Sequence, residues 1–314
     1  MNVLSSIFGA GVSFRNTLYD RDIIRAKKLQ APVVSIGNLS VGGSGKTPFV
    51  MLLGDLLKTR GISLDILSRG YGRRTRGVAL VEPGGSARDF GDEPLLLARH
   101  LGVPVIVGED RYEAGLFAER KSISDLHLLD DGFQHRALAR DFDIVLVTPE
   151  DARDRLLPAG RLREPLKSLS RADAVVLTSG APAEAFPLTG KLVWRVRRGI
   201  TVKTIPVRPV VFCGIARPQN FLMQLRTAGV EPLAQALYRD HHAYSEKDVH
   251  DLLDLRQKSE AECFITTEKD AINLGGYLAA LEPLVIVPVK MELIDAANAL
   301  DTMLRMIAER KRPA

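Results

Sequence analysis

The sequence predicts an α/β fold with a P-loop NTPase-like N-terminal domain, a mostly parallel sheet and a second, smaller α/β domain. Three observations support this prediction. An apolar run rich in β-branched residues at 33–36 leads into a glycine-rich stretch at 37–45. An amphipathic helical pattern follows at 49–57. After it, short apolar runs alternate with helical patterns at the spacing of βα units.

The other predicted strands are mostly continuous apolar runs, as parallel strands covered on both faces should be. They are residues 63–67, 103–107, 126–129, 144–148 and 174–178 in the first half, and 210–214, 263–266 and 284–289 in the second.

Composition changes between the two halves of the chain. Residues 179–189 are rich in Gly, Ala and Pro and are predicted to be a linker. Residues 192–197 and 200–205 alternate apolar and polar side chains around Arg198-Gly199, which predicts a β-hairpin. The predicted domains are a P-loop domain with an N-terminal membrane-associating helix at 1–180, the linker and hairpin at 181–208, and the smaller α/β domain at 209–314.

Composition and charge narrow the class of protein. The chain has 314 residues, of which 46% are hydrophobic and 26% charged, and this is typical of a globular protein that is able to form two domains. Its net charge of +5 favours anionic partners. Few aromatic residues interleave with the basic ones, so nucleic acid is not an expected partner. Two cysteines, Cys213 and Cys263, fit a reducing cytoplasm and exclude a disulfide framework. We expect neither a membrane span nor a cleaved signal.

The glycine-rich stretch has the composition of a phosphate-binding loop. Glycines let backbone N–H groups turn toward an anion, and the following helix adds the positive end of its dipole. Lys46 is predicted to reach the β- and γ-phosphates, and the Thr47 hydroxyl to ligate Mg²⁺. Ser40 stands where the strict pattern has glycine. The alternative is an ordinary strand-to-helix turn. The residues predicted to bind the nucleotide are Val41, Gly42, Gly43, Ser44, Gly45, Lys46 and Thr47.

Two acidic segments are candidates for catalysis. Asp130 and Asp131 end a buried apolar run, the position at which P-loop enzymes usually hold Mg²⁺, although paired aspartates also begin turns. Asp92 lies in the segment GDEP at 91–94. A kinase that acts on an alcohol needs a carboxylate to accept the hydroxyl proton, and Asp92 is one candidate. The alternative for Asp92 is a simple helix start.

Basic and histidine-containing segments offer further candidates. His241, in the segment DHHAY at 240–244, would orient or tune a carboxylate across a domain cleft, or form part of a surface or core histidine pair. The loops at 68–74, with Arg73, and at 158–165, with Arg163 and Glu164, are basic. They either contact phosphate and substrate groups at the carboxyl ends of the strands or are solvated.

The N-terminal segment combines an apolar face with basic residues. One helical face carries the apolar residues Val3, Leu4, Ile7, Phe8, Val12, Phe14 and Leu18, and a basic stretch follows at 15–28. This pattern fits a helix that rests on an anionic bilayer. It also fits a helix that packs against its own domain.

Eight segments, in this order, closely resemble the tetraacyldisaccharide 4'-kinase family of Gram-negative bacteria. They are VSIGNLSVGGSGKTP (34–48), SRGYGR (68–73), GDEP (91–94), DDGFQH (130–135), GRLREP (160–165), FCGIARPQNF (212–221), DHHAY (240–244) and TTEKD (266–270).

The resemblance implies a kinase that uses ATP and Mg²⁺ to phosphorylate the 4'-hydroxyl of tetraacyldisaccharide 1-phosphate, forming lipid IVA. It implies two α/β/α domains joined by a small β linker. Lys46 and Thr47 would hold phosphate and Mg²⁺. The resemblance also implies a peripheral position on the cytoplasmic face of the inner membrane, with the N-terminal helix on the anionic membrane surface. Among the other matching positions, it implies a metal site at Asp130 and Asp131, a general base at Asp92 tuned by His241, and lipid substrate near Arg163 and Glu164.

Without the resemblance, the residues predict a Mg²⁺-dependent P-loop phosphotransferase or NTPase. A nucleotide switch that controls a protein partner is the alternative from another class. Lys269 and Asp270 do not support a GTPase, because the guanine-reading motif needs one residue between them and here they are adjacent.

Overall fold

Two β-sheets organise the computed structural model, which describes residues 3–121, 124–178, 180–202 and 208–311. The strands of the large sheet within these ranges are β1 (Val33–Asn38), β2 (Leu64–Ser68), β3 (Ala79–Leu80), β4 (Val105–Val107), β5 (Leu126–Asp130), β6 (Phe142–Val147), β7 (Ala174–Leu177), β8 (Leu192–Ile200) and β13 (Val289–Leu293). Those of the small sheet are β9 (Pro209–Cys213), β10 (Ala234–Leu237), β11 (Cys263–Thr267) and β12 (Leu284–Val287).

Helices cover these sheets. They are α1 (Val3–Asp20), α2 (Lys46–Thr59), α3 (Ala87–Phe90), α4 (Asp92–Leu101), α5 (Arg111–Lys121), α6 (Pro218–Thr227), α7 (Glu246–Lys258), α8 (Glu268–Leu274) and α9 (Ala296–Lys311). We call the large sheet with its helices the large lobe, and β9–β12 with α6–α8 the small lobe.

The large sheet is mostly parallel and has β1 near its centre. Its strand order is β13-β8-β7-β6-β1-β5-β2-β4-β3, with antiparallel pairing at the two ends. The inner strands are buried along their whole length because their apolar side chains meet helices on both faces. This arrangement brings the carboxyl ends of β1, β2 and β5 to one edge, where ligands bind in open α/β sheets. The predicted α/β fold with a P-loop and a mostly parallel sheet is confirmed.

The small sheet has the order β10-β9-β11-β12 and is parallel throughout. Phe212 and Phe264 are central to the core on one of its faces, and Val211 and Ile265 contribute to the core on the other. The carboxyl end of β9 leads into a loop, and that of β11 leads directly into α8; both face the large lobe.

The chain returns to the large lobe after β12. The run predicted as one strand at 284–289 is two strands in different sheets, and Pro288, which has no N–H to donate to a ladder, separates them. β13 pairs with β8, and α9 buries Met303 and Ile307 in the core beneath the large sheet. The last part of the predicted 209–314 domain therefore packs on the other lobe.

The predicted turn at Arg198-Gly199 is wrong. Both residues lie inside β8, where they pair with Met291 and Lys290 of β13. The second arm of the predicted hairpin reaches into residues 203–207, which lie outside the described residues. The pairing partner is therefore supplied by a strand from much later in the chain.

The N-terminal helix α1 packs through small and polar side chains. The Ser5 hydroxyl donates to the Leu156 carbonyl at 3.0 Å, and Asn16 Nδ2 donates to Glu164 Oε2 at 2.8 Å. A Cβ atom on Gly9 would lie 2.8 Å from Leu156 Cδ1, so glycine allows close approach there. Within the described ranges, no helix is both long and apolar enough to cross a membrane.

Candidate active site

A cleft of about 770 Å³ separates the two lobes at the carboxyl edge of the large sheet. The large lobe contributes the glycine loop, the end of β5 and the start of α4. The small lobe contributes the loops after β9 and β10 and the start of α8. The predicted catalytic, nucleotide-binding and metal-binding residues all line this cleft. Of the predicted substrate residues, Arg163 lines it, whereas Glu164 and Arg73 do not.

The glycine loop connects the buried strand β1 to the N-terminus of α2. Gly42, Gly43 and Gly45 have φ angles of +76°, +44° and +86°, which favour glycine. A Cβ atom on Gly42 would lie 3.2 Å from Ala216 Cβ, and one on Gly43 would lie 2.9 Å from Arg217 Cγ. The small lobe therefore approaches the loop so closely that a side chain at Gly43 would displace Arg217 and one at Gly42 would crowd Ala216.

Lys46, the first residue of α2, is held between a neutral and an acidic partner. Its Nζ donates to Asn38 Oδ1 at 3.1 Å and lies 3.6 Å from Asp131 Oδ1. Arg163 forms a two-pronged pair with Asp131, at 2.9 and 2.8 Å, and also donates to Asn38 Oδ1. Burial raises the pKa of Asp131, but Lys46 and Arg163 outweigh it and hold that pKa well below its ordinary value.

Asp130 and Thr47 fit a magnesium site. Asp130 is 2% exposed; its Oδ2 accepts from the Ser68 hydroxyl at 3.1 Å, and its Oδ1 is buried with no hydrogen-bond partner among the described residues. Burial and the nearby Glu93 and Asp131 raise the pKa of Asp130 to about 7. A divalent cation would satisfy the orphaned oxygen, and hydroxyl and carboxylate oxygens are the ligands that Mg²⁺ prefers.

Asp92 lies at the first position of α4 and is 4% exposed. Its carboxylate accepts from His241 Nδ1 at 2.8 Å and from Asn273 Nδ2 at 3.0 Å. Burial raises the pKa of Asp92, but the hydrogen bond from His241 and the charge of Lys269 outweigh burial and lower that pKa overall. The carboxylate is therefore held ionised in a site that excludes most water.

His241 reaches Asp92 from the loop after β10, with a φ of +57°. Its other ring nitrogen, Nε2, lies 3.1 Å from Lys269 Nζ. Burial and the charge of Lys269 lower the pKa of His241. The hydrogen bond to Asp92 raises it by more, so the pKa is raised overall. An ammonium group donates only, so this contact requires a lone pair on Nε2. This contact favours the tautomer with the proton on Nδ1, from which the ring donates a hydrogen bond to Asp92.

Lys269, like Asn273, belongs to this cluster and was missed by the sequence analysis. It lies in α8, donates to Asp240 Oδ1 at 3.0 Å and lies 3.8 Å from Asp92 Oδ2. Burial lowers its pKa, but Asp92, Glu93 and Asp240 raise it overall, so the side chain is charged. The match of 266–270 to the family segment was a signal for it.

The adjacent histidine has a different environment. His242 stacks on Tyr238 with ring centroids 4.5 Å apart, and its Nε2 lies 3.2 Å from Asp248 Oδ2. The two histidines of this segment are thus divided between the cleft and the packing of the small lobe. This outcome combines the two alternatives that the sequence left open.

Arg163 and Glu164 are adjacent in sequence but face different surroundings. Arg163 lines the cleft, whereas Glu164 is fully buried beneath it. Glu164 accepts from Arg171 at 2.8 and 3.1 Å and from Asn16 of α1. Contact between Glu164 and a substrate stays a prediction that this geometry does not favour. The observed contacts give Glu164 the role of attaching α1 to the large lobe.

Two arginines near the glycine loop were also missed from the sequence. Arg217, from the loop after β9, crosses beside Gly43 and pairs with Glu150 of the large lobe at 2.9 Å. Arg198, on β8, approaches Gly45. Burial and the neighbouring Arg217 lower the pKa of Arg198. Their positive charge is suited to an anion in the cleft.

Comparison with known proteins agrees with this geometry. The family model for tetraacyldisaccharide-1-P 4'-kinase matches residues 1–308. The tetraacyldisaccharide 4'-kinase of Koribacter versatilis is 51% identical over 99% of this chain and 100% of its own length. That of Aquifex aeolicus is 42% identical over 85% of this chain and 86% of its own length. A crystal structure of LpxK from Aquifex aeolicus in complex with ATP is similar, with a TM-score of 0.80, 39% identity and 97% coverage of both chains.

The P-loop, the magnesium-compatible carboxylate and the buried aspartate opposite them define an ATP-dependent P-loop kinase. The family match over nearly the whole chain shows which one. The chain belongs to the tetraacyldisaccharide 4'-kinase family, and the predicted kinase activity with ATP is confirmed.

Proposed function

We propose that the cleft between the lobes transfers the γ-phosphoryl group of ATP to the 4'-hydroxyl of tetraacyldisaccharide 1-phosphate, with Asp92 as general base. The observation that carries this proposal is the buried, ionised Asp92, which shares one cleft with Lys46 and accepts a hydrogen bond from His241. Phosphoryl transfer depends mainly on positioning and charge stabilisation, and each lobe contributes to both.

On the phosphate side, the residues of the glycine loop (Val41, Gly42, Gly43, Ser44 and Gly45) direct backbone N–H groups toward the triphosphate. Lys46 leaves Asn38 and Asp131 to contact the β- and γ-phosphates, and the fork of Arg163 keeps Asp131 in place. Thr47 and Asp130 would hold Mg²⁺, with Asp131 beside them. The ion, when bound, neutralises charge that develops on the phosphate oxygens.

On the acceptor side, the 4'-hydroxyl is placed between Asp92 and the γ-phosphorus. The hydroxyl oxygen forms the new bond to phosphorus, the bond from the γ-phosphorus to the β,γ-bridging oxygen breaks, and ADP leaves. The hydroxyl proton passes to Asp92. His241 orients this carboxylate through its Nδ1–H group. Asp92 returns the proton to solvent when the product leaves the cleft.

The surface of α1 supports a peripheral position on the anionic inner membrane, at its cytoplasmic face. Leu4, Ile7 and Phe14 are 61%, 63% and 67% exposed, whereas polar Asn16 is buried. An apolar helix face directed outward and followed by basic residues is typical of interfacial binding. A lipid acceptor that resides in a membrane would reach the cleft from such a position.

Transfer of ³²P from labelled ATP to the purified disaccharide 1-phosphate tests the proposed reaction. We expect labelled lipid product, with ADP release that depends on the acceptor. ADP release at the same rate with and without the lipid would contradict the proposal and favour the nucleotide switch. Asp92→Asn is the matched control, because it keeps the size of the side chain and removes its basicity.

A further inference from the structure

A second cavity, of about 440 Å³, is lined mainly by the loop that follows β2 and is open to solvent. We call residues 69–76 the arginine loop, because Arg69, Arg73, Arg74 and Arg76 all lie in it. Glu109 is the acidic residue that lines the same cavity. The lining charges thus comprise four guanidinium groups and one carboxylate, an excess that attracts an anion.

The Arg73 side chain is built into the base of this cavity and is 2% exposed. One of its terminal nitrogens donates to Glu109 Oε1 at 2.9 Å and to the Gly77 carbonyl. Its Nε and its other terminal nitrogen are buried with no hydrogen-bond partner among the described residues. A buried guanidinium group with two unused donors is costly unless an acceptor is supplied.

The loop backbone is shaped for this arrangement. Gly70 has a φ of +69°, and a Cβ atom there would lie 2.6 Å from Arg73 Cδ. Glycine at this position therefore allows Arg73 to fold back beneath the loop. Arg74 N donates to the Arg88 carbonyl at 2.7 Å, and the Thr75 hydroxyl donates to the Asp89 carbonyl, which attaches the far end of the loop to α3.

The cavity adjoins the acceptor side of the active site. It shares Arg69, Tyr71 and Gly72 with the main cleft. The Tyr71 ring lies 5.3 Å from the His241 ring, and a Cβ atom on Gly91 would lie 3.0 Å from the Tyr71 carbonyl. The arginine loop thus borders the residues that surround Asp92, and the glycine loop does not line its cavity.

We propose that the arginine loop binds the phosphate group that the acceptor already carries, which would fix the position of the disaccharide before transfer. This proposal rests on the proposed function, because it takes the acceptor to be a sugar phosphate. Arginine forks match phosphate oxygens in geometry, and hydrogen bonds between charged groups are the strong ones. The site would therefore discriminate between acceptors with and without that phosphate.

The test compares kcat/KM for tetraacyldisaccharide 1-phosphate with kcat/KM for the same disaccharide without the phosphate. The variants are Arg74→Gln and Arg76→Gln, which are exposed and leave the buried Arg73 in place. We expect each to lower the ratio of the two values about tenfold, in line with the loss of one charged hydrogen bond. Arg60→Gln, an exposed arginine that pairs with Asp301, is the matched control and keeps the ratio.

Two further measurements test whether the arginine loop instead binds the phosphates of ATP or of membrane lipids. Unchanged KM for ATP and unchanged sedimentation with phosphatidylglycerol vesicles are expected. An equal loss for both acceptors, or weaker vesicle binding without a change in the ratio, would overturn the proposal. If the unsubstituted protein phosphorylates neither acceptor, the proposed function fails, and the arginine-loop proposal fails with it. If it phosphorylates both and the ratio stays constant in both variants, the arginine-loop proposal alone is wrong.

Discussion

The two sides of the cleft are built in different ways. On the phosphate side, Lys46, Asp131 and Arg163 come from one lobe and contact each other at the edge of one sheet. On the acceptor side, Asp92 comes from the large lobe, whereas His241, Lys269 and Asn273 come from the small lobe. The acceptor side therefore depends on how the lobes meet.

This difference indicates where control of the reaction lies. The P-loop and its magnesium-compatible carboxylate lie within the large lobe, so this part of the nucleotide site is in place whenever that lobe is folded; the small lobe adds Arg217 beside Gly43. A base whose partners cross between lobes is oriented when the lobes approach, as in enzymes that close on their substrates. The two sides should consequently respond differently to substitution.

The largest effect is expected for Lys46→Ala. Its charge stabilises the phosphate oxygens of the transition state, so kcat should fall by roughly 10³-fold or more. The melting temperature should change little, because the side chain is polar and lines the cleft. Lys258→Ala, on the exposed face of α7, is the control and should retain full activity in the same ³²P assay. Near-normal turnover of a folded Lys46→Ala protein would show that the glycine loop is not a P-loop.

A smaller effect is expected for Lys269→Met, which leaves both sides of the site in place but removes the ammonium from His241. Loss of one charged hydrogen bond should lower kcat about 10- to 100-fold. In ¹⁵N NMR spectra, His241 should carry its proton on Nδ1 in the unsubstituted protein. The pKa of His241 should rise in the variant, because Lys269 lowers it. Lys247→Met, exposed on α7, is the control. An unchanged His241 titration would contradict the tautomer assigned here.

In His241→Ala, the pH dependence of kcat/KM is expected to change. Activity requires ionised Asp92, so it is present above the pKa of this group and is lost as pH falls through it. The hydrogen bond from His241 lowers that pKa, and burial raises it. Removing the imidazole should therefore move the acid limb of kcat/KM to higher pH. Asn273→Ala should move it less, and a shift to lower pH would contradict this assignment of the base.

The smallest effect on chemistry, but a clear one on location, is expected for Ile7→Ser combined with Phe14→Ser. Sedimentation with anionic vesicles should weaken about tenfold, since exposed apolar side chains supply the membrane contact. ATP binding should be unchanged. Met223→Ser, equally exposed on the small lobe, is the control. If the double variant partitions like the unsubstituted protein, the membrane role of α1 is wrong.

Local features could be predicted from the sequence. The glycine loop, the buried strand before Asp130 and the start of α4 at Asp92 each follow from a few adjacent residues. The strand β13 could not be predicted, because Val289 continues an apolar run whose first part pairs in the other sheet. Lys269 was missed for a similar reason. Asp92 approaches it through the packing of α4 on α8, and His241 approaches it from the loop after β10; no local pattern encodes either contact.

Asp92 of the large lobe and His241 of the small lobe are expected to act as one unit. A double-mutant cycle across the lobes tests this expectation most directly. Asp92 and His241 are 149 positions apart in sequence, and His241 Nδ1 lies 2.8 Å from Asp92 Oδ2. The cycle combines the two variants Asp92→Ala and His241→Ala. Each alone should lower kcat by roughly 10²- to 10⁴-fold, the range for general-base catalysis, while ATP affinity stays nearly constant.

The double variant should be hardly slower than the slower single variant, because residues that act as a unit are not additive. Full multiplication of the two losses would mean that Asp92 and His241 act independently. That result would contradict the account of a base that one lobe supplies and the other lobe orients.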